Sequence, residues 1–213
     1  MLKLYIGDKN YSSWSMRPWL VLRKAELPFE EQMIRLCLPQ TKEKLLQLSS
    51  AGTVPVLQVH DEMIPDSLAI SEWAAKCVPN LWPTSAKDRK LAIEFCKTMQ
   101  EHFGQLRQSA PMNLRRRTRG KLPDAAIADA NALAEQWLEL LSLHDGPFLF
   151  GNWSIADAFS TPYATRFVSY GVPRSARVDT YISELMADED YLEWEMQGLS
   201  EDWSIKHVDA IGS

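Results

Sequence analysis

A proline-flanked segment, Pro79-Asn80-Leu81-Trp82-Pro83-Thr84-Ser85, divides this chain into two stretches whose apolar residues recur with different periods. Before it, short alternating runs and amphipathic runs take turns; after it, only the helical period is found. A chain patterned in this way is held to one layered α/β unit followed by an all-helical one. The 213 residues suffice to bury a sizeable core in each. The expected organisation is an α/β domain over 1–78, a linker over 79–86 and an all-α domain over 87–213.

Leu2-Lys3-Leu4-Tyr5-Ile6 alternates apolar and polar and stops at Gly7-Asp8-Lys9-Asn10, which predicts a strand. Trp19, Leu20, Leu22 and Ala25 recur at helical spacing before Pro28, and 29–36 has the composition of a second strand. Strand, helix, strand within this length is a βαβ unit, which requires the two strands to be parallel. A short polar helix follows over 39–50. Two apolar runs joined across His60-Asp61-Glu62 then predict an antiparallel hairpin, with Pro55 at a strand start. Asp66-Ser67 offers a cap for a helix running to Pro79. The sum is βαβαββα on a mixed four-stranded sheet. Beyond the linker, 86–109, 124–143, 155–169 and 178–194 carry helical periodicity, with no convincing strand.

Tyr11-Ser12-Ser13-Trp14-Ser15-Met16-Arg17-Pro18-Trp19 is where chemistry is expected. Proline is harmless in the first helical positions and costly deeper in. That places the helix start near Ser15, with Ser15 as its cap, and leaves the Ser12 and Ser13 hydroxyls in the loop before a helix N-terminus. Such a place suits an anion, a thiolate included.

Composition narrows the partners. A formal net charge of −5 argues against nucleic acid. No apolar run is long enough to span a bilayer, and no secretion signal is read at the start. Three widely spaced cysteines, Cys37, Cys77 and Cys96, make neither a disulfide framework nor a metal cluster, which suits a reducing cytoplasm. Bases and acids balance at 9 and 9 over residues 1–80, and stand at 14 and 19 over 81–213. After Val178 ten acids face Lys206 alone, which reads as a solvated acidic surface. Arg115-Arg116-Arg117, with Arg119 and Lys121, reads as a solvated basic face. His60 and His144 read as loop residues, and no metal site is expected. Nucleotide-binding motifs are lacking.

Four segments in a fixed order carry a resemblance to the glutathione transferase superfamily. Ser12-Ser13-Trp14-Ser15-Met16-Arg17 resembles the serine motif of the zeta class, Ser-Ser-Cys-x-x-Arg, with Trp14 in place of the cysteine. Val54-Pro55 stands where the family has a cis proline, preceded by the residue whose backbone meets the cysteinyl unit of glutathione. Asp66-Ser67 resembles the acidic-or-Gln plus Ser pair that holds the γ-glutamyl end. Gly151-Asn152-Trp153-Ser154-Ile155-Ala156-Asp157 resembles the capping box of the family's helical domain, a structural feature.

The resemblance implies a thioredoxin-like N-terminal domain, an all-α C-terminal domain and a cytoplasmic homodimer. It implies a glutathione S-transferase in which a serine hydroxyl stabilises the thiolate of the co-substrate glutathione for attack on a small hydrophobic electrophile. Two further outcomes stand beside it: a glutathione-dependent cis–trans isomerase resembling maleylacetoacetate isomerase, which the loss of the cysteine disfavours, and a non-catalytic glutathione-binding protein. Counting back from Arg17 as in zeta, tau and omega members selects Ser12 for the sulfur; counting as in delta and theta members selects Ser13. The double serine favours Ser12. Gln40 stands where the glycine carboxylate is met. Trp14, His102, Arg107, Met112 and Asn113 are candidates for the electrophile pocket, with Phe103 and Leu106 as core beside them. Lowering the thiol pKa by two units requires about 2.7 kcal/mol, which one charge-assisted hydrogen bond and a helix dipole can supply.

Overall fold

The computed structural model describes residues 1–211, so the helical region expected to run to 213 ends, at its last two positions, outside the described residues. The first part runs β1 (Leu2–Ile6), α1 (Ser13–Lys24), β2 (Phe29–Met33), α2 (Thr41–Leu48), β3 (Val56–Val59), β4 (Glu62–Pro65) and α3 (Ser67–Cys77). The sheet order is β2-β1-β3-β4. β1 pairs parallel with β2, Leu2 opposite Phe29, while β3 pairs antiparallel with both β1 and β4. The mixed four-stranded sheet and its parallel first pair are therefore as the alternating pattern requires. β2 is shorter than its apolar composition suggests, because beyond Met33 the chain turns to bond Asp8: Leu36 N–H donates to Asp8 Oδ2 at 2.8 Å.

After a 3₁₀ turn at Pro79–Leu81 come α4 (Ala86–Glu101), α5 (Gly104–Ser109), α6 (Asp124–Leu143), α7 (Ile155–Ser169), α8 (Ala176–Met186), α9 (Glu189–Ser200) and α10 (Lys206–Asp209). Two stretches read as single helices are each broken. The 86–109 segment is interrupted at Phe103, whose φ is 61°, and the restarted helix finds a partner for the Leu106 N–H in Asp129 Oδ2 at 3.0 Å. The second break falls at Asp188, whose carboxylate caps α9 by accepting from the N–H groups of Asp190 and Tyr191. Periodicity is blind to both because each new helix keeps the apolar stripe of the old one.

α7 is apolar or small nearly all round and is buried along its whole length except at Val168, as expected of a helix at the centre of a bundle. α1 lies between α3 and α7, so the α/β layer and the helices share one core.

Charge completes the joint. The acidic residues on and just before α9 are not all free in solvent, as composition suggests they would be, although Glu189 is exposed. Arg23 meets Asp190 at 3.0 Å and Glu193 at 2.5 Å, and Lys24 meets Asp188 at 2.7 Å. Two bases at the C-terminal end of α1 also oppose the partial negative charge of that end. Glu201 is buried and accepts from the Lys9 and Asn10 N–H groups at 2.6 and 3.2 Å. The Lys9 ammonium is caged between the rings of Trp19 and Trp194, 4.8 and 5.0 Å from their centroids, and bonds Glu31 at 2.7 Å. Gly198 on α9 permits this approach, since a Cβ there would lie 3.1 Å from Asn10 N and 3.2 Å from Lys9 C.

The basic run is likewise not all solvated. Arg115 donates to the carbonyls of Trp203 and Gly198 at 2.8 and 3.3 Å, and Arg116 donates to that of Asp209. These carbonyls lie in α9 and in the C-terminal tail, beyond the range of any local pattern. Arg117, Arg119 and Lys121 are exposed as expected.

Candidate active site

The serine loop departs from the expected cap. α1 begins at Ser13 and its N-cap is Ser12, whose hydroxyl oxygen accepts from the Ser15 N–H at 3.4 Å. Pro18 therefore sits a full turn further into the helix than the sequence suggests. Ser15 is unavailable as the cap because its own oxygen accepts from the Gly7 N–H at 3.0 Å, tying α1 to the end of β1. The Ser12 O–H donates to Ser15 Oγ at 2.8 Å. Ser12 is thus engaged with Ser15 in both directions.

Ser13 is placed differently. Its oxygen accepts from Arg166 Nη2 at 3.2 Å, and its own O–H has no acceptor among the described residues. Ser12 and Ser13 are 5% and 6% exposed. No acid stands in the first turn of α1, so the orphan N–H groups there keep their positive field unopposed.

Arg17, at the start of the next turn of α1, is 1% exposed. Its Nη2 donates to the Met99 carbonyl at 3.2 Å, while Nε and Nη1 have no partner. The guanidinium lies 4.3 Å from the Trp14 ring and 4.9 Å from that of Phe159, so aromatic faces stand in for a counter-ion. Burial lowers its pKa to about 10, which leaves it a cation at neutral pH. Trp14 is half-buried and covers this charge.

The Val54–Pro55 peptide bond is cis, as the resemblance implies. β3 begins at Val56, so the backbone of Val54 stands outside the ladder registers of the sheet. Asp66 caps α3: its Oδ1 accepts from the Leu68 and Ala69 N–H groups at 2.8 and 3.0 Å, at a backbone φ of 85°. Its Oδ2 accepts from Gln100 Nε2 at 2.8 Å, and the same amide lies 3.3 Å from Ser67 Oγ. Gln100, on α4, was invisible to sequence reasoning; polar placement at the exposed end of an amphipathic helix is its only local signal.

The remaining candidates separate. Gln40 is the exposed residue before α2 and makes no side-chain cap. His102 is exposed at the end of α4, and Arg107 on α5 is half-buried, donating to Tyr163 Oη at 2.7 Å. Phe103 and Leu106 are core. Met112 and Asn113 are buried. The Asn113 amide is held by Asn10 Nδ2 at 3.1 Å and donates to Asp209 Oδ1 at 2.8 Å. Asp209 also accepts from the Tyr11 O–H at 3.0 Å, fastening the tail to the residue beside Ser12.

At the start of α7 the expected capping box is present. Asp157 is fully buried and accepts from the Ser154 N–H at 2.9 Å, the Ser154 O–H at 3.0 Å, the Leu149 N–H at 3.1 Å and the Tyr181 O–H at 2.9 Å. Burial raises its pKa to about 6 against these bonds. Cys37 and Cys77 are exposed and Cys96 is buried, all free thiols. Among the described residues no group of side chains could hold a metal ion, and no helix is long and apolar enough to cross a membrane.

Residues 11–77 match the model of the glutathione S-transferase N-terminal domain. No curated protein sequence matches the chain. Solved structures extend the likeness over nearly its whole length. A glutathione transferase homologue from Burkholderia gl BGR1, with bound glutathione, is 24% identical with a TM-score of 0.72, covering 94% of this chain and 99% of its own. A homologue from Sulfitobacter with bound glutathione is 18% identical at a TM-score of 0.72, covering 93% and 98%. A glutathione transferase from Methylococcus capsulatus str. Bath is 21% identical at 0.70, covering 93% and 100%. The chain has the glutathione transferase fold. Its α/β part is thioredoxin-like and matches the glutathione S-transferase N-terminal domain over residues 11–77, and a helical region follows it.

Proposed function

We propose that this chain is a glutathione transferase in which the Ser13 hydroxyl stabilises the thiolate of bound glutathione for attack on a small electrophile. The observation that carries the reading is the division of labour between the two serines. Ser12 caps α1 and bonds Ser15 twice over, whereas Ser13 accepts from a guanidinium and keeps its proton for a ligand. A free thiol with a pKa of about 8.5 is only a few per cent ionised at neutral pH. A donor aimed at the sulfur, beside a helix N-terminus without an acid, shifts that balance toward the anion.

The rest of glutathione is assigned by placement. Val54, held by the cis proline, offers its backbone to the cysteinyl unit. Asp66, Ser67 and Gln100 converge on the γ-glutamyl end, and Gln40 stands for the glycine carboxylate. Trp14, His102 and Arg107 border the place of the electrophile, while the buried Met112 and Asn113 are left as candidates by sequence position alone. The fold match and the glutathione bound in two of the similar structures support the same reading. A homodimer is part of the proposal, checked by sedimentation.

Calorimetry with glutathione and turnover of a generic chloronitroaromatic test it. Ser13→Ala is expected to leave glutathione binding within a few-fold while raising the pKa of the bound thiol; if Ser12→Ala alone does so, the assignment passes to Ser12. Failure of the wild-type protein to bind glutathione would sink the function itself.

A further inference from the structure

Three guanidiniums gather behind Ser13 with no carboxylate among them. Arg166, on α7 and 3% exposed, donates Nη2 to Ser13 Oγ at 3.2 Å, Nε to the Ala110 carbonyl at 3.0 Å and Nη1 to the Pro162 carbonyl at 2.7 Å. Arg17 lies across the same helix pair with two buried N–H groups unpartnered. Arg107 reaches Tyr163 Oη from α5. The Tyr163 ring is 5.2 Å from the Arg166 guanidinium and 5.9 Å from that of Arg17, so one aromatic residue is the hub of all three. Every ion pair of the described residues lies elsewhere. Burial first, and then the charges of Arg17 and Arg107, lower the Arg166 pKa to about 10; this opposes gathering three cations unless something negative joins them.

Resting on the glutathione reading above, we propose that Arg166 is a positioning residue for the sulfur step. It holds Ser13 Oγ as an acceptor, so that the hydroxyl proton is left for the thiolate, and with Arg17 and Arg107 it supplies unneutralised positive charge to that anion. A hydroxyl that accepts from a cation becomes a stronger donor, because each bond in a chain polarises the next. The two carbonyl bonds of Arg166 fix its plane, and so fix the direction from which it meets Ser13. The step itself is a proton loss: the glutathione S–H gives its proton to solvent, and the thiolate remains as the nucleophile.

The test is the pKa of the bound glutathione thiol, followed by ultraviolet thiolate absorbance, alongside calorimetric affinity for S-methylglutathione, which has no thiol to ionise. Arg166→Met is expected to raise the bound-thiol pKa by about one unit, a tenfold change in ionisation, with S-methylglutathione affinity within about twofold of wild type. Arg166→Lys should restore part of the shift. In a Ser13→Ala background the same substitution should do measurably less, because the two act through one contact. A thiol pKa unmoved by Arg166→Met, or a fully additive double variant, overturns the proposal. Should Arg166→Met fail to fold, the half-exposed Arg107 reads the shared field: Arg107→Gln should raise the thiol pKa by about half a unit, and no rise overturns the proposal. These outcomes are distinct from failure of the functional reading, in which the wild-type protein binds neither glutathione nor its S-methyl derivative.

Discussion

The N-termini of α1 and α7 begin with the same ingredient, a serine at the cap, and end in opposite electrostatic states. At α7 a buried carboxylate faces the helix end and four donors close on it. At α1 no acid faces the helix end, two guanidiniums lie within its reach, and Ser13 keeps a free proton. The first end is saturated from within the chain and holds structure. The second is left positive, and that state asks for an anion from outside. Sequence alone gives both as Ser-capped helix starts; what the ends face separates them.

Breaking the α7 end should have the largest effect. Asp157→Ala strands several buried donors at once and is expected to cost about 3–5 kcal/mol of stability, more than the 1–2 kcal/mol of a lone cap. Denaturant unfolding measures this, and a loss under 1.5 kcal/mol would mean that the donors find other partners.

Titrating that end comes next. Asp157 has a folded pKa of about 6, above its ordinary 3.8. The folded state therefore holds the proton more tightly, so this group's contribution is full below about pH 4 and is lost as pH rises through 6. Two units correspond to roughly 3 kcal/mol. Between about pH 4 and pH 7 the stability of wild type relative to Asp157→Asn should fall by that order; a constant difference would remove burial as the dominant influence on this carboxyl.

The α1 end should answer in stability and chemistry separately. Ser12→Ala removes a cap and is expected to cost about 1 kcal/mol in thermal or denaturant unfolding, with the thiol pKa of bound glutathione unchanged. A shifted thiol would merge the roles that the two serines are given above. Smallest is Gln100→Ala, which removes one neutral donor beside Asp66 and should weaken glutathione binding by about 0.5–1.5 kcal/mol, a few-fold, by calorimetry. Unaltered affinity would place the γ-glutamyl end elsewhere.

What could be read in advance follows the range of the interactions. Alternation and helical spacing lie within a few residues of one another, and they identified the βαβαββα order, the parallel first pair and the hairpin; the capping box came from resemblance. The position of Pro55 before a strand was legible too, although its cis state came from resemblance. The Ser12 cap was missed because the rival cap, Ser15, is claimed by Gly7, an upstream backbone group whose orientation no local pattern records. Arg166 meets Ser13 across 153 positions of sequence. Arg115 and Arg116 read as solvated until the tail that receives them is in place. Helix breaks at Phe103 and Asp188 escaped because neither interrupts the apolar stripe.

The attachment of the tail also bears on how the molecule is made. Asp8 and Lys9 accept from Trp203 and Trp194, and Asn10 and Tyr11 donate to Glu201 and Asp209, all some 190 positions later. On a ribosome, which delivers the N-terminal end first, the sheet and α1 can assemble early. The loop bearing Ser12 and Ser13 must then wait for almost the whole chain before its last fastenings arrive. A nascent chain arrested before residue 190 would hold every serine of the loop and lack the clamp that sets it, so that activity should mature at the end of synthesis.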